Sequence, residues 1–300
     1  MTRYYLSLAL RGLMQHRALT ALMVMAIGLG IAATMTGLTI VTRYGSDPIP
    51  QKSSKLFAVQ LDTWTGDAPT NQDNREAAPD QLTYKDAVAL MQRAPAKRQS
   101  AMYLTRVAVQ SENPEIAPSR HTFRATRNDF FDMFDLKFIY GSAWSDQDDS
   151  AKARVTVLTA PLAEKLFGKV NPVGKQLQLG SDYFQVTGVV ESFNPKPKFY
   201  DLNNGSLSEM DDAFFPIATA VDLQITQNGN TSCFESPGDG WAEFVQSECI
   251  WIQYWAELED ASALAKYKQF LDAYADEQRL LGRFDDSTRN NHALDRKSVV

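Results

Sequence analysis

The sequence predicts an α+β domain that follows one amino-terminal membrane helix, and three observations carry that reading. An uncharged run of 24 residues, Ala18–Val41, is long enough as a helix (~36 Å) to cross a hydrocarbon core of ~30 Å. Beyond it, short strand-like and helix-like segments interleave without a sustained parallel βαβ rhythm. The whole chain of 300 residues is 44% hydrophobic and 22% charged, the balance of a chain that buries a sizeable core.

The run from Ala18 to Val41 exceeds the apolar region of a cleavable signal peptide, and its small residues Ile31-Ala32-Ala33 fall inside it, so an uncleaved span is expected. Arg3, Arg11 and Arg17 precede it without an acid. Residues 42–300 hold 27 basic against 36 acidic side chains, a balance of −9 within a net charge of −6. Lys and Arg nearly match across the span, with Arg43, Lys52 and Lys55 after it. A long domain translocates largely regardless of its charge, which favours a cytoplasmic amino terminus and an extracytoplasmic remainder. The acidic balance, with no basic patch, argues against nucleic-acid binding. Three scattered histidines and two cysteines have no zinc-site spacing.

Leu6, Leu10, Leu13 and Met14 recur at helical spacing opposite Arg3, Ser7 and Arg11, which describes residues 1–17 as a basic amphipathic helix lying in the lipid headgroups. The alternative is that they simply begin the membrane helix. Within the span, Ala26, Gly30, Ala33 and Gly37 fall on one face, either a seam for another helix or ordinary membrane-helix composition. Residues 42–54 contain two prolines and read as an exit linker.

Strands are expected at 55–61, 102–110, 121–126, 154–159, 176–179, 182–190, 213–216 and 250–258. Helices are expected from Thr83, which with Asp86 resembles a capping box, over the aromatic run capped by Asn128 or Asp129, over 160–167 with Pro161 in the first turn, over 217–223, and over 261–281. Residues 62–80 and 191–212 read as polar loops. Cys233 and Cys249 lie 16 residues apart. In an oxidising compartment a bridge between them contributes ~3 kcal/mol, and two free thiols is the alternative.

Catalytic signatures are not found. Gly-x-Ser-x-Gly, His-Glu-x-x-His and Cys-x-x-Cys are absent, and Lys169–Lys175 lacks the first glycine and the hydroxyl of a phosphate loop. The pairs Asp148-Asp149, Asp211-Asp212 and Asp285-Asp286 are read as solvated surface charge. Trp251, Tyr254 and Trp255 are read as core.

The stretch Val155–Val190 resembles the periplasmic core domain of MacB-type (FtsX-like) ABC transporter permeases. Leu166, Phe167, Gly168, Asn171, Pro172, Gly174, Lys175, Val186, Gly188 and Val189 fit that family's Leu-Phe-Gly, Asn-Pro-x-Gly-Lys and Val-x-Gly-Val pattern, and the amino-terminal helix and span resemble the family's own. The resemblance implies a two-lobed, mixed α/β periplasmic domain over 55–285, with the second lobe inserted at about 126–212. Residues 286–300 would then be a loop toward a second span. It also implies a non-catalytic permease subunit of the bacterial inner membrane that works in export or mechanotransmission. The chain would hold no cofactor, ATP being used by a separate cytoplasmic ABC ATPase. Its other partners would be a second permease subunit, a periplasmic adaptor and membrane lipid. The cysteine-containing insertion departs from the simplest family pattern. The alternative reading is a single-span sensor or ligand-binding ectodomain.

Overall fold

The computed structural model describes Tyr4, Tyr5, Leu8, Gly12 and residues 14–44, then 49–64, 78–111, 113, 115–193, 195, 198–201, 203–205, 208–284 and 292–295; for Ile40, Arg43, Tyr44, His292, Ala293 and Asp295 only the backbone is described. Most of the expected cytoplasmic flank, including Arg3 and Arg11, lies outside these residues, as do Asp285 and Asp286.

The chain divides into two units, the first formed by its amino-terminal 47 residues and the second by Pro48–Ser298. The first is built on helix α1 (Arg17–Tyr44), somewhat longer than the predicted span at both ends. Its stretch Arg17–Thr39 has a mean hydropathy of 2.1 and buries nothing against protein. The hydroxyls of Thr34, Thr36, Thr39 and Thr42 donate to the carbonyls of Gly30, Ala32, Met35 and Leu38 one turn back, so these polar groups are satisfied within the helix, as an apolar solvent requires.

The second unit is built on a ten-stranded mixed sheet. Its strands are β1 (Leu56–Leu61), β2 (Arg98–Gln110), β3 (Ser119–Thr126), β4 (Phe138–Gly141), β5 (Val155–Thr159), β6 (Gln176–Leu179), β7 (Asp182–Val190), β8 (Ala213–Pro216), β9 (Gln253–Glu257) and β10 (His292–Asp295). They run in the order β10-β1-β9-β2-β3-β8-β5-β7-β4, with β6 beside β2 and β7. Among the described residues, the pairs β3–β8 and β5–β7 are parallel and the other pairs antiparallel. Residues 126–212, expected as an inserted lobe, supply β4 to β7 at one end of this same strand path.

The helices are α2 (Tyr84–Arg93), α3 (Asp129–Met133), α4 (Asp146–Ser150), α5 (Ala160–Phe167), α6 (Ile217–Asp222), α7 (Trp241–Gln246) and α8 (Ala261–Leu280). Alternation along the strands divides the core between two faces. Phe57, Ala101, Tyr103 and Tyr254 point to the face covered by α2, α5, α6 and α8, whereas Ala58, Met102 and Trp255 point to an aromatic cluster of Phe130, Phe131, Phe134, Tyr200 and Phe214. Trp251, Tyr254 and Trp255 are therefore core.

The long strand β2 shows the layering. Residues 99–103 are buried on both faces, and from 106 to 110 burial alternates because one face meets water.

Several expectations change. Residues 286–300 were expected as a loop, yet His292–Asp295 forms β10, which pairs with the outer edge of β1 and so gains hydrogen bonds its own short sequence does not advertise. β4 and α4 were unexpected. The latter is only five residues long but carries a full Ser145/Asp148 capping box. α7 lies between the two cysteines, where no helix was expected. Asn128 precedes α3 without a side-chain cap, while Thr83 does cap α2 by accepting from the Asp86 amide.

Candidate functional site

The residues of the family pattern converge on the turns that connect α5, β6 and β7. Pro161 sits in the first turn of α5, and Gly168 ends the helix at φ +73°, donating its amide to the Glu164 carbonyl. The Asn171 carboxamide accepts from the Val173 amide at 3.0 Å, closing the turn that Pro172 begins. Gly174, at φ +87°, donates to the Val186 carbonyl at 2.8 Å, and the Val186 amide returns to Lys175 at 2.9 Å. The Lys175 ammonium lies 5.4 Å from the centre of the Phe167 ring. Leu166 is buried, and Ser111 donates to its carbonyl. Gly188 lets β7 approach β4 closely: a Cβ there would come within 2.6 Å of the Ser142 carbonyl and 2.7 Å of the Phe138 ring. Most of these residues position backbone, and Lys175 places its ammonium over the Phe167 ring.

The second constellation is buried. Arg124, fully enclosed on β3, donates through Nη2 to Asp201 at 2.6 Å, through Nε to Asp211 at 2.6 Å and through Nη1 to Gln253 at 3.3 Å. Its guanidinium stands 4.8 Å from the centre of the Tyr200 ring. Lys198 Nζ reaches Asp211 at 2.9 Å, and the Tyr200 hydroxyl donates to the same carboxylate at 2.9 Å. Burial pushes the Asp201 carboxyl up, but Arg124 and the hydrogen bond from Gln253 outweigh it and hold the group at about 2. Burial opposes ionisation of Asp211 as well, and Arg124 and Lys198 hold it below its ordinary value. Two cations against two carboxylates leave the cluster neutral, the condition under which charge is tolerated in a core. Asp211 was expected at the surface and is instead 4% exposed. Asp149 is corrected in the same way: burial pushes its carboxyl up to about 6, against hydrogen bonds from the Asn128 amide and the Trp144 indole.

A third group lies near the amino terminus of α2. Arg283 grips Asp86 with two hydrogen bonds of 2.6 and 2.7 Å and Glu248 with two of 2.9 and 3.0 Å, and Lys85 adds a contact to Glu248 at 2.5 Å. Burial raises the Glu248 carboxyl, but the hydrogen bonds from Arg283 and Lys85 prevail and keep it below its ordinary value. This network borders a cleft of about 710 Å³. Cys233 and Cys249 are joined as a disulfide beside it.

His121 Nδ1 lies 3.0 Å from an accepting carboxylate oxygen of Asp212, and its Nε2 lies 2.9 Å from the Ser119 hydroxyl. This resembles a serine–histidine–aspartate relay, but the Lys165 ammonium sits 3.3 Å from both Ser119 Oγ and His121 Nε2 and competes for the lone pair a general base needs. No group of three or more His, Cys, Asp or Glu among the described residues is arranged to hold a metal. On α1, Ala26, Gly30, Ala33 and Gly37 line one face of the helix, with open space where Cβ atoms would stand at the two glycines. Arg17 donates back to the Met14 carbonyl.

The geometry is thus a long apolar helix followed by a mixed-sheet unit held by local turns and buried ion pairs. The profile of the MacB-like periplasmic core domain matches residues 20–273, and the chain belongs to that family. The macrolide export ATP-binding/permease protein MacB 2 of Aeromonas hydrophila subsp. hydrophila is 24% identical over 231 residues, which are 74% of this chain and 32% of that protein; the chain thus spans about a third of this curated relative. The crystal structure of the periplasmic region of MacB from Actinobacillus actinomycetemcomitans shares the fold at a TM-score of 0.50 and 15% identity, covering 84% of this chain and 92% of the other. The extracellular domain of the ABC-type transporter YknZ from Gram-positive bacteria aligns at a TM-score of 0.47 and 14% identity, covering 80% and 99%.

Proposed function

We propose that this chain is the membrane subunit of an ABC-type export or mechanotransmission complex. Its periplasmic domain couples ATP hydrolysis on a separate cytoplasmic subunit to expulsion of a substrate or activation of a partner. One observation carries the reading: the family match spans residues 20–273, from within the apolar helix to the long helix α8, and so takes in both anchor and ectodomain. In this account the inner membrane holds α1, the amino-terminal residues with Arg3, Arg11 and Arg17 meet lipid phosphate and the ATPase, and the face of Ala26, Gly30, Ala33 and Gly37 packs on a neighbouring helix. A second permease subunit and a periplasmic adaptor complete the assembly, and ATP binds only to the partner.

The test is copurification from membranes under ATP-trapping conditions. Recovery of an ABC-type ATPase, lost when residues 1–17 are deleted, supports the proposal. Purification without an ATPase under the same conditions overturns it in favour of a single-span sensor or ligand-binding ectodomain.

A further inference from the structure

The cleft beside the disulfide draws on Trp64, Lys85, the segment between the cysteines and Arg283, and it has two unlike walls. One is aromatic. Phe234 is 42% exposed, a large cost for a phenyl ring in water, and its ring centre lies 6.0 Å from that of Trp64. The other is acidic. Among the described residues, Glu235, Glu243 and Glu248 line the cleft with Lys85 and Arg283 as its cations, and Arg283 is already matched by Asp86. Glu248 is engaged by both cations, whereas Glu235 and Glu243 are exposed and form no ion pair among the described residues.

The disulfide fixes this arrangement. Cys233 adjoins Phe234 and Cys249 adjoins Glu248, so one covalent bond ties the aromatic wall to the charged one. Paired backbone hydrogen bonds of 3.1 and 2.8 Å between Ser232 and Ile250 hold the same two strands of chain. Walls held in place before a ligand arrives lower the ordering cost of binding. One Glu243 oxygen accepts from the Asp239 amide at 2.6 Å, which leaves its charge without a cationic partner among the described residues. An aromatic face next to such carboxylates recognises a positive charge carried on apolar groups, by cation–π attraction and Coulomb attraction together.

We propose that this cleft is a binding site for apolar organic cations. The inference goes beyond the export reading and does not depend on it, because binding here needs no ATPase.

The full chain in nanodiscs of zwitterionic lipid is titrated with tetraphenylphosphonium and with tetraphenylborate, ions of matched size and opposite charge, and heats from empty nanodiscs are subtracted. The expected result is saturable binding of the cation alone, weakened at least tenfold in Phe234→Ala and in the double variant Glu235→Gln/Glu243→Gln. These exposed positions are chosen so that the fold survives, which retention of the native circular dichroism spectrum checks. Reduction of the disulfide should weaken binding severalfold without abolishing it. Equal binding of the two ions, no saturable binding of the cation, or unchanged affinity in natively folded variants overturns the proposal.

Discussion

Residues 154–190 and residues 191–212 follow one another in the same unit, yet they are fixed by different physics. The first stretch folds through neighbours: helix α5 capped by Gly168, the Asn171 turn, and a hairpin of β6 and β7 with Leu179 opposite Asp182. The second contains no helix or strand among its described residues, and Arg124 binds its Asp201 and Asp211 to the sheet from 77 and 87 positions away. Local restraints leave marks in sequence as glycine, proline and asparagine at fixed spacing. A buried ion cluster leaves none.

The largest effect that would break this comparison is expected at Arg124. Arg124→Gln leaves Asp201 and Asp211 buried with only Lys198 to neutralise them, and should cost ~3–5 kcal/mol in urea unfolding. A loss below ~1 kcal/mol would mean that the 191–212 segment is held by its aromatic contacts instead.

Asp149 sharpens the contrast because it is buried with a weaker counter-ion, Arg127 Nε at 3.7 Å. Its carboxyl is raised to about 6 when folded. Its stabilising contribution is therefore fully present below the unfolded value near 3.8 and is lost as pH rises through about 6, a change of ~2–3 kcal/mol. Asp201, lowered to about 2, runs the other way: its contribution is present above pH 4 and fades as pH falls toward 2. Between pH 4 and pH 7.5, Asp149→Asn should gain stability relative to the native protein. Parallel pH profiles would contradict this assignment.

Within the locally folded stretch, Gly188→Ala should cost ~2–3 kcal/mol through collision with Ser142 and Phe138. Gly174→Ala should cost ~1 kcal/mol or slightly more, since open space surrounds it and only the positive φ opposes a side chain. Equal losses in thermal unfolding would show that close approach of β4 and β7 is not what Gly188 provides.

The span, the α5–β7 turns and the proximity of the cysteines were legible because each depends on residues within one or two dozen positions. The Asp211-Asp212 pair shows where legibility ends: adjacent in sequence, one carboxylate reaches into the core toward Arg124 while the other meets His121 on the same strand, β3. Nothing in the spacing of Asp201, Asp211 and Gln253, the last of which meets Arg124 across 129 positions, signals that they share a guanidinium. Strand β10 was missed for a related reason, since its identity comes from the edge of β1 rather than from its own four residues. The cleft at Phe234 was hidden because its walls come from separated segments, one containing Trp64 and the other held by the disulfide.

In the proposed function, the sheet domain responds to the nucleotide state of a cytoplasmic ATPase. Hydrogen exchange of the copurified complex, compared with and without ATP trapped by vanadate, tests it most directly. The account predicts altered protection within residues 55–285 on trapping. Identical exchange throughout the domain in the two states, with the ATPase demonstrably trapped, would contradict it.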